Sequence, residues 1–194
     1  MITERRQFSA LVVSKSEKTA DTLSAVLKTN AFSKVLRADS AGAARRMTLK
    51  QPVDVVVINT PLADDFGTQL AMDLSEKNMG VLVFVKKDVY DPVSYKLEEY
   101  GIVTLPKPVE RTALNQSLKM LKAMGVKLAK LEAQKSSLES KMREIRLVNR
   151  AKWLLISHLS MSEEEAHRYI EKEAMDACVK KSEIAENIIK TYEV

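Results

Sequence analysis

Residues 53–67, VDVVVINTPLADDFG, carry the reading on which the fold turns. Val55, Val56, Val57 and Ile58 form an unbroken apolar, β-branched run. A strand with one wet face would alternate apolar and polar side chains. This one does not, so it belongs at the centre of a parallel sheet covered on both faces. The strand ends at Asn59 and opens into a polar, acidic turn that closes at Gly67. Open α/β sheets place ligands and reactive groups at the carboxyl ends of their strands, so this turn is the first place to look for chemistry.

Outward from that strand, residues 8–108 alternate between two periodicities. FSALVV (8–13), KVLRA (34–38), GVLVFVK (80–86) and IVTL (102–105) read as further strands. KTADTLSAVLKT (18–29), AGAARRMTL (41–49), FGTQLAMDLSEK (66–77) and DPVSYKLEEYG (91–101) read as the helices between them. Ala20, Leu23, Val26 and Leu27 share one helical face. Alternating units of this length predict an α/β fold, a doubly wound five-stranded parallel sheet with helices on both faces.

From Val109 the pattern changes, and no strand-like run follows. Leu121, Met124, Leu128, Leu131, Leu138, Met142 and Ile145 hold a and d heptad positions, with Lys135 and Asn149 at polar a positions. Such a seam predicts a coiled-coil dimerisation helix, in which polar a residues set register. The alternative is one long helix packed on its own domain, though such a helix usually carries a wider apolar stripe. Gly125 is a weak point, costing about 1 kcal/mol relative to alanine. Beyond it, NRAKWLLISHL, a segment opening on Ser162 with Glu165 three residues on, and a segment from Ser182 with Ile184, Ala185, Ile188 and Ile189 on one face predict an all-α three-helix bundle. The expected division is residues 1–120, 121–149 and 150–194.

Composition narrows the function classes. One cysteine among 194 residues excludes an internal disulfide framework and fits a cytoplasmic protein. No apolar stretch approaches the roughly 20 residues of a membrane span, so no membrane partner is expected. Two histidines and one cysteine without ligand spacing give no metal site. No nucleophile–base, glycine-rich phosphate loop or paired-carboxylate pattern stands out, so neither an enzyme nor a cofactor is expected.

The first segment resembles the receiver domain of two-component response regulators. The resemblance covers roughly residues 8–125 and rests on the strand order, the VVVIN…G loop and LPKP at 105–108. It implies a flavodoxin-like sheet and a phosphoryl site built from an acidic pair, an acceptor aspartate, a Thr or Ser, and a lysine. Carried over, those positions fall on Ser14 and Lys15, on Asn59, on Val85 and on Lys107. Only the lysine is kept. Magnesium needs hard carboxylate oxygens, and an asparagine amide is a poor phosphoryl acceptor. The expectation is therefore a pseudo-receiver, serving dimerisation or the binding of a protein or ligand. Lys15 and Lys107 would bring positive charge to the vacated pocket. Asp64 and Asp65, past the strand end, are expected to be solvated loop carboxylates.

Residues 151–189, AKWLLISHLSMSEEEAHRYIEKEAMDACVKKSEIAENII, resemble the ANTAR domain, an RNA-binding output module of transcription antiterminators. The matching features are the AK..L opening, S..EAH.YI...AM and the closing IA..II. The resemblance implies a partner, the paired hairpins of a nascent leader RNA. Ten Lys/Arg against three Glu in residues 119–152 supply a cationic approach, or else simply the solvated faces of a coiled coil. Arg150, Lys152, Arg168, Tyr169, Lys172, Lys180 and Lys181 are the expected RNA contacts, with Tyr169 or Trp153 available to stack on bases. His167 is also within possible reach of RNA. Trp153, among Leu154, Leu155 and Ile156, is expected in the core. Two rivals remain open: a protein-interaction adaptor, and a DNA-binding regulator, for which no helix-turn-helix with a polar recognition helix is evident.

Overall fold

The computed structural model describes residues 6–193. Chain contacts divide it into two units, up to Lys130 and from Leu131.

In the first unit, β1 (Phe8–Val13), β2 (Phe32–Ala38), β3 (Val55–Asn59), β4 (Gly80–Lys86) and β5 (Val103–Lys107) form one parallel sheet in the order β2-β1-β3-β4-β5. The central strand is β3, paired with β1 through Val55–Ile58 and with β4 through Val55–Asn59. Its four apolar residues are buried, as an unbroken run requires. Helices α1 (Glu17–Thr29), α2 (Ala41–Lys50), α3 (Thr68–Ser75) and α4 (Tyr90–Glu98) follow β1 to β4, and one 3-10 turn precedes α4. Successive side chains of each strand face opposite ways. Leu11, Val13, Val56, Ile58, Val81, Val83 and Val85 feed one core, and Ala10, Val12, Val55, Val57, Leu82 and Phe84 feed the other.

Local chemistry explains the element ends. Ser16 and Ser40 cap α1 and α2, accepting from the backbone N–H of Thr19 and Ala43. Gly67 precedes α3 at φ 105°, and a β-carbon there would lie 3.1 Å from Ile58 Cγ2 and 3.3 Å from Thr60 Cγ2. Only glycine satisfies both the left-handed backbone and that close approach. β2 begins at Phe32, two residues before the apolar pattern suggests, because Phe32 itself is buried and meets Phe8 edge-on.

One uninterrupted helix, α5 (Arg111–Leu159), holds both the heptad stretch and the first helix of the C-terminal group. Gly125 does not break it. Its carbonyl accepts from Arg6 Nη1 at 2.9 Å, and an added β-carbon would lie 3.4 Å from the Phe8 ring. Leu114, Leu118 and Leu121 are buried in the sheet unit's own core, with Leu121 beside Gly80. Leu121, expected on a dimer seam, is instead 4 % exposed inside its own domain. The heptad a position coincides there with the face that α5 turns to the sheet.

In the second unit, α6 (Glu163–Asp176) and α7 (Lys181–Tyr192) complete three helices with the end of α5. Ser162 and Glu165 form the reciprocal capping box expected from their spacing. The core is small: Ala151, Leu155, Ala166, Ile170, Ala185 and Ile188. Three alanines let the helix backbones approach closely, and Ile170 and Leu155 fill the centre.

Candidate functional site

The carboxyl edge of the sheet gathers the residues expected there. Ser14 follows β1, Asn59 ends β3 and Lys107 ends β5. The amide of Asn59 donates to Ser14 Oγ at 3.1 Å, and that oxygen also accepts from the Ser16 backbone N–H at 3.2 Å. Lys107 Nζ donates to the Thr60 carbonyl. Partial burial, followed by the nearby charges of Lys86 and Lys15, pushes the Lys107 ammonium below the usual lysine range. No carboxylate contributes to that shift. Val85 is fully buried in one sheet core and presents no hydroxyl to this edge.

A hard divalent cation does not fit this edge. Such an ion is held by carboxylate, carbonyl and water oxygens. Here the oxygens at the matched positions are one serine hydroxyl and one asparagine amide, already joined to each other, with cationic side chains around them.

The neighbouring carboxylates are not idle, contrary to the expectation that they are merely solvated. Asp64 accepts from the backbone N–H of Ala41 at 2.7 Å and of Gly42 at 2.9 Å, closing the N-terminus of α2. Those two bonds hold its carboxyl below the usual carboxylate range. Asp65 accepts from the Gly67 N–H at 3.1 Å and shapes the turn into α3.

On the helical unit, the expected RNA contacts divide into two sets. Arg150 is paired with Glu193, Lys152 with Glu163 at 2.9 Å, Arg168 with Glu164 at 3.7 Å, and Lys181 with Glu171. Lys152 is the most withdrawn, with 15 % of its side chain exposed, and it serves as a tie between α5 and α6 rather than a free cation. Its hydrogen bond, and then its charge, draw the Glu163 carboxyl below the usual range, as those of Lys181 do for Glu171. Lys172 and Lys180 are exposed and have no carboxylate partner among the described residues. Tyr169 is partly exposed on α6 and lines a shallow depression of about 460 Å³ with Arg168, Lys172 and Leu159.

Trp153 overturns the expectation of a core residue: it is 71 % exposed. Ala151, Leu154 and Leu155 turn toward the bundle, and the tryptophan between them falls on the opposite side of the same helix. Its apolar neighbours in sequence pointed to the core, yet position on the helix decides which of them enter it.

Fold and matched segments are similar to those of a class: an α/β unit with the fold of receiver domains, followed by a segment that matches the ANTAR domain. Residues 136–189 match the model of the ANTAR domain, beginning within the heptad stretch. The chain is 23% identical over 139 residues to the transcriptional regulatory protein PdtaR of Mycobacterium tuberculosis, covering 71% of this chain and 68% of that one. It is 27% identical over 127 residues to the aliphatic amidase regulator of Pseudomonas aeruginosa, covering 64% of each. Among solved structures, a receiver domain of an HD domain-containing protein from Pseudomonas fluorescens is similar with a TM-score of 0.59, at 17% identity over 67% of this chain and 97% of that one. A response regulator receiver domain from Clostridium thermocellum gives a TM-score of 0.57, at 18% identity over 62% of this chain and 98% of that one. These are regulatory proteins by their names, and the structural likeness concerns the fold of the sheet unit. No helix among the described residues is long and apolar enough to cross a membrane.

Proposed function

We propose that this protein is a cytoplasmic RNA-binding regulator of transcription antitermination, acting as a dimer on a hairpin-bearing leader RNA, with a sheet unit that takes no phosphoryl group. The observation that carries this reading is the ANTAR match over a three-helix unit whose outer surface presents cationic and aromatic side chains. Lys172, Lys180 and Arg168 supply phosphate attraction, and Tyr169 a ring for loop bases. The sheet unit's part is to present α5 and to bind a protein or ligand, because Asn59 and Ser14 satisfy each other where an acceptor and a metal would be needed.

Dimerisation is assigned to α5. Met124, Leu131, Leu138, Met142 and Ile145 are each more than half exposed, and Leu128 is half-buried. A row of large apolar side chains at heptad spacing on one helix is complementary to a second copy of itself. Leu121 drops out of that seam because its own domain covers it. The proposed parts are therefore a receiver-type unit, a seam from Met124 to Asn149, and a bundle that reads RNA.

Recovering crosslinked RNA from cells and sequencing it tests the reading, with leader segments carrying paired stem-loops as the expected yield. A companion titration against stem-loop RNA and duplex DNA at two salt concentrations should show preference for the RNA and steep weakening with salt. Equal or better binding to duplex DNA would overturn it. A second reading, a protein-docking adaptor, is favoured by one feature. A groove of about 750 Å³ near the end of α6 exposes Met175 and Val179 beside Leu147. Failure of any RNA to bind would put that reading first.

A further inference from the structure

Trp153 is the only tryptophan of the chain, and it stands 71 % exposed six residues before the end of α5. Its backbone is held by Ala151 and Leu155, both buried in the bundle on the far side of that helix. The ring is therefore mounted on a rigid element. Its indole N–H has no partner among the described residues. Single exposed apolar residues are ordinary on protein surfaces, so the surroundings decide what this one is for.

Arg146 lies seven residues before Trp153, Arg150 three before and Ser157 four after, all on the same side of α5. Arg146 is exposed and has no carboxylate partner among the described residues, whereas Arg150 is paired with Glu193. The remaining neighbours on that side are Asn149 and Ile156, and Ile156 is partly buried against the bundle core. This is a large π-surface whose exposed neighbours within one turn, Asn149, Arg150 and Ser157, are cationic or polar, with Ile156 turned partly to the core. A protein seam would surround such a ring with apolar side chains. The nearest exposed apolar residues before it along that side of α5 are Ile145, eight residues earlier at the margin of that side, and Met142, three turns earlier. The heptad row also loses its apolar character here, with Asn149 and the largely withdrawn Lys152 at the next a and d positions.

We propose that Trp153 is a base-stacking residue, receiving an unpaired RNA base on its indole face while Arg146 meets the adjoining phosphate. The proposal rests on the RNA-binding reading and adds to it which surface reads the nucleic acid: the outer side of α5, in addition to or instead of the Tyr169 side of α6. Aromatic stacking needs a base that is out of its pair, so this surface selects loops over helical stems.

The test uses the full-length protein and a stem-loop RNA selected by the wild type from a library with a randomised loop, with the same strand annealed to its complement as the duplex control. Because there is one tryptophan, its fluorescence reports on this position alone. Stem-loop RNA should quench it, and the duplex should not. Trp153→Ala should weaken stem-loop binding by at least about fivefold, the low end of one lost base stack, and leave duplex binding nearly unchanged. Trp153→Phe should recover most of the affinity, which a loss of folding would not allow. Stem-loop binding without quenching, together with unchanged affinity in Trp153→Ala, would overturn the proposal while leaving the RNA-binding reading standing. A drop from dimer to monomer in Trp153→Ala with RNA affinity intact would assign the ring to a protein seam instead. If the library yields no stem-loop preferred over duplex, the RNA reading fails and this proposal fails with it.

Discussion

At the carboxyl edge of the sheet, Asn59 bonds Ser14 and Lys107 bonds the Thr60 carbonyl, so each of these polar groups already has a partner within the edge. On the helical unit the reverse holds: Trp153, Tyr169, Lys172 and Lys180 face solvent, around a core of six small or medium residues. The sheet unit has two cores and a central strand buried on both faces, so its interior determines what it is. The helical unit has little interior, and its character lies in what it displays. The difference teaches where to look for function: a fold can keep the architecture of a reactive site while its polar groups turn to each other, and a minimal bundle can carry its whole activity on the outside.

The largest effect expected from this contrast is on stability. Ile170→Ala removes the centre of a six-residue core and should cost about 2–5 kcal/mol, enough to melt α6 and α7. Amide hydrogen exchange should show protection lost in those helices while β1, β3 and β4 stay protected. Loss of protection throughout both units would break the comparison.

Next is the assembly state. Leu131→Asp with Leu138→Asp should halve the mass seen by sedimentation, since both side chains are exposed and a charge on a seam excludes the second copy. Leu121→Asp should behave differently and unfold the sheet unit, because that side chain is 4 % exposed in its own core. A dimer that survives the double substitution places the interface elsewhere.

A chemical prediction sharpens the sheet side. Incubation with acetyl phosphate and magnesium should leave the intact mass unchanged. Asn59→Asp should also fail to gain a phosphoryl group, because restoring one carboxylate leaves Ser14 and Lys15 where the metal's other oxygens would be. A stable phosphoryl adduct on the wild type that vanishes in Asn59→Ala would contradict the reading of this edge.

The smallest effect concerns Asp64. Its carboxyl is held below the ordinary aspartate value of 3.8 by the Gly42 and Ala41 N–H groups. A depressed folded value means that the carboxylate stabilises the fold above pH 3.8, and that this is lost as pH falls through the lower folded value. Asp64→Asn should lower the urea midpoint of the sheet unit slightly at pH 7. The gap between variant and wild type should close in strongly acid solution. A gap that persists there would show that the carboxylate charge is not the cause.

Much of this was legible in the residues themselves. VVVI at 55–58 is too apolar for any place but the middle of a parallel sheet, and it lies there. Ser162 with Glu165 announces a helix start by a mechanism that needs only those two side chains and the backbone between them. Such readings succeed because strand alternation and helix capping are set within a few residues of the chain.

Other readings needed the tertiary structure. The heptad spacing of residues 121–145 identifies one side of a helix but not what covers it: the sheet covers Leu121 and leaves Met124, Leu131 and Leu138 exposed. Trp153 sits in an apolar run, yet a helix turns about 100° per residue, so neighbours in sequence point to different sides. Asp64 looked like a loop carboxylate until α2 brought its free N–H groups within 2.9 Å. Sequence periodicity determined the elements and their apolar sides. Which partner each side meets is decided by packing between segments far apart in the chain, and that information appears only once the chain has folded.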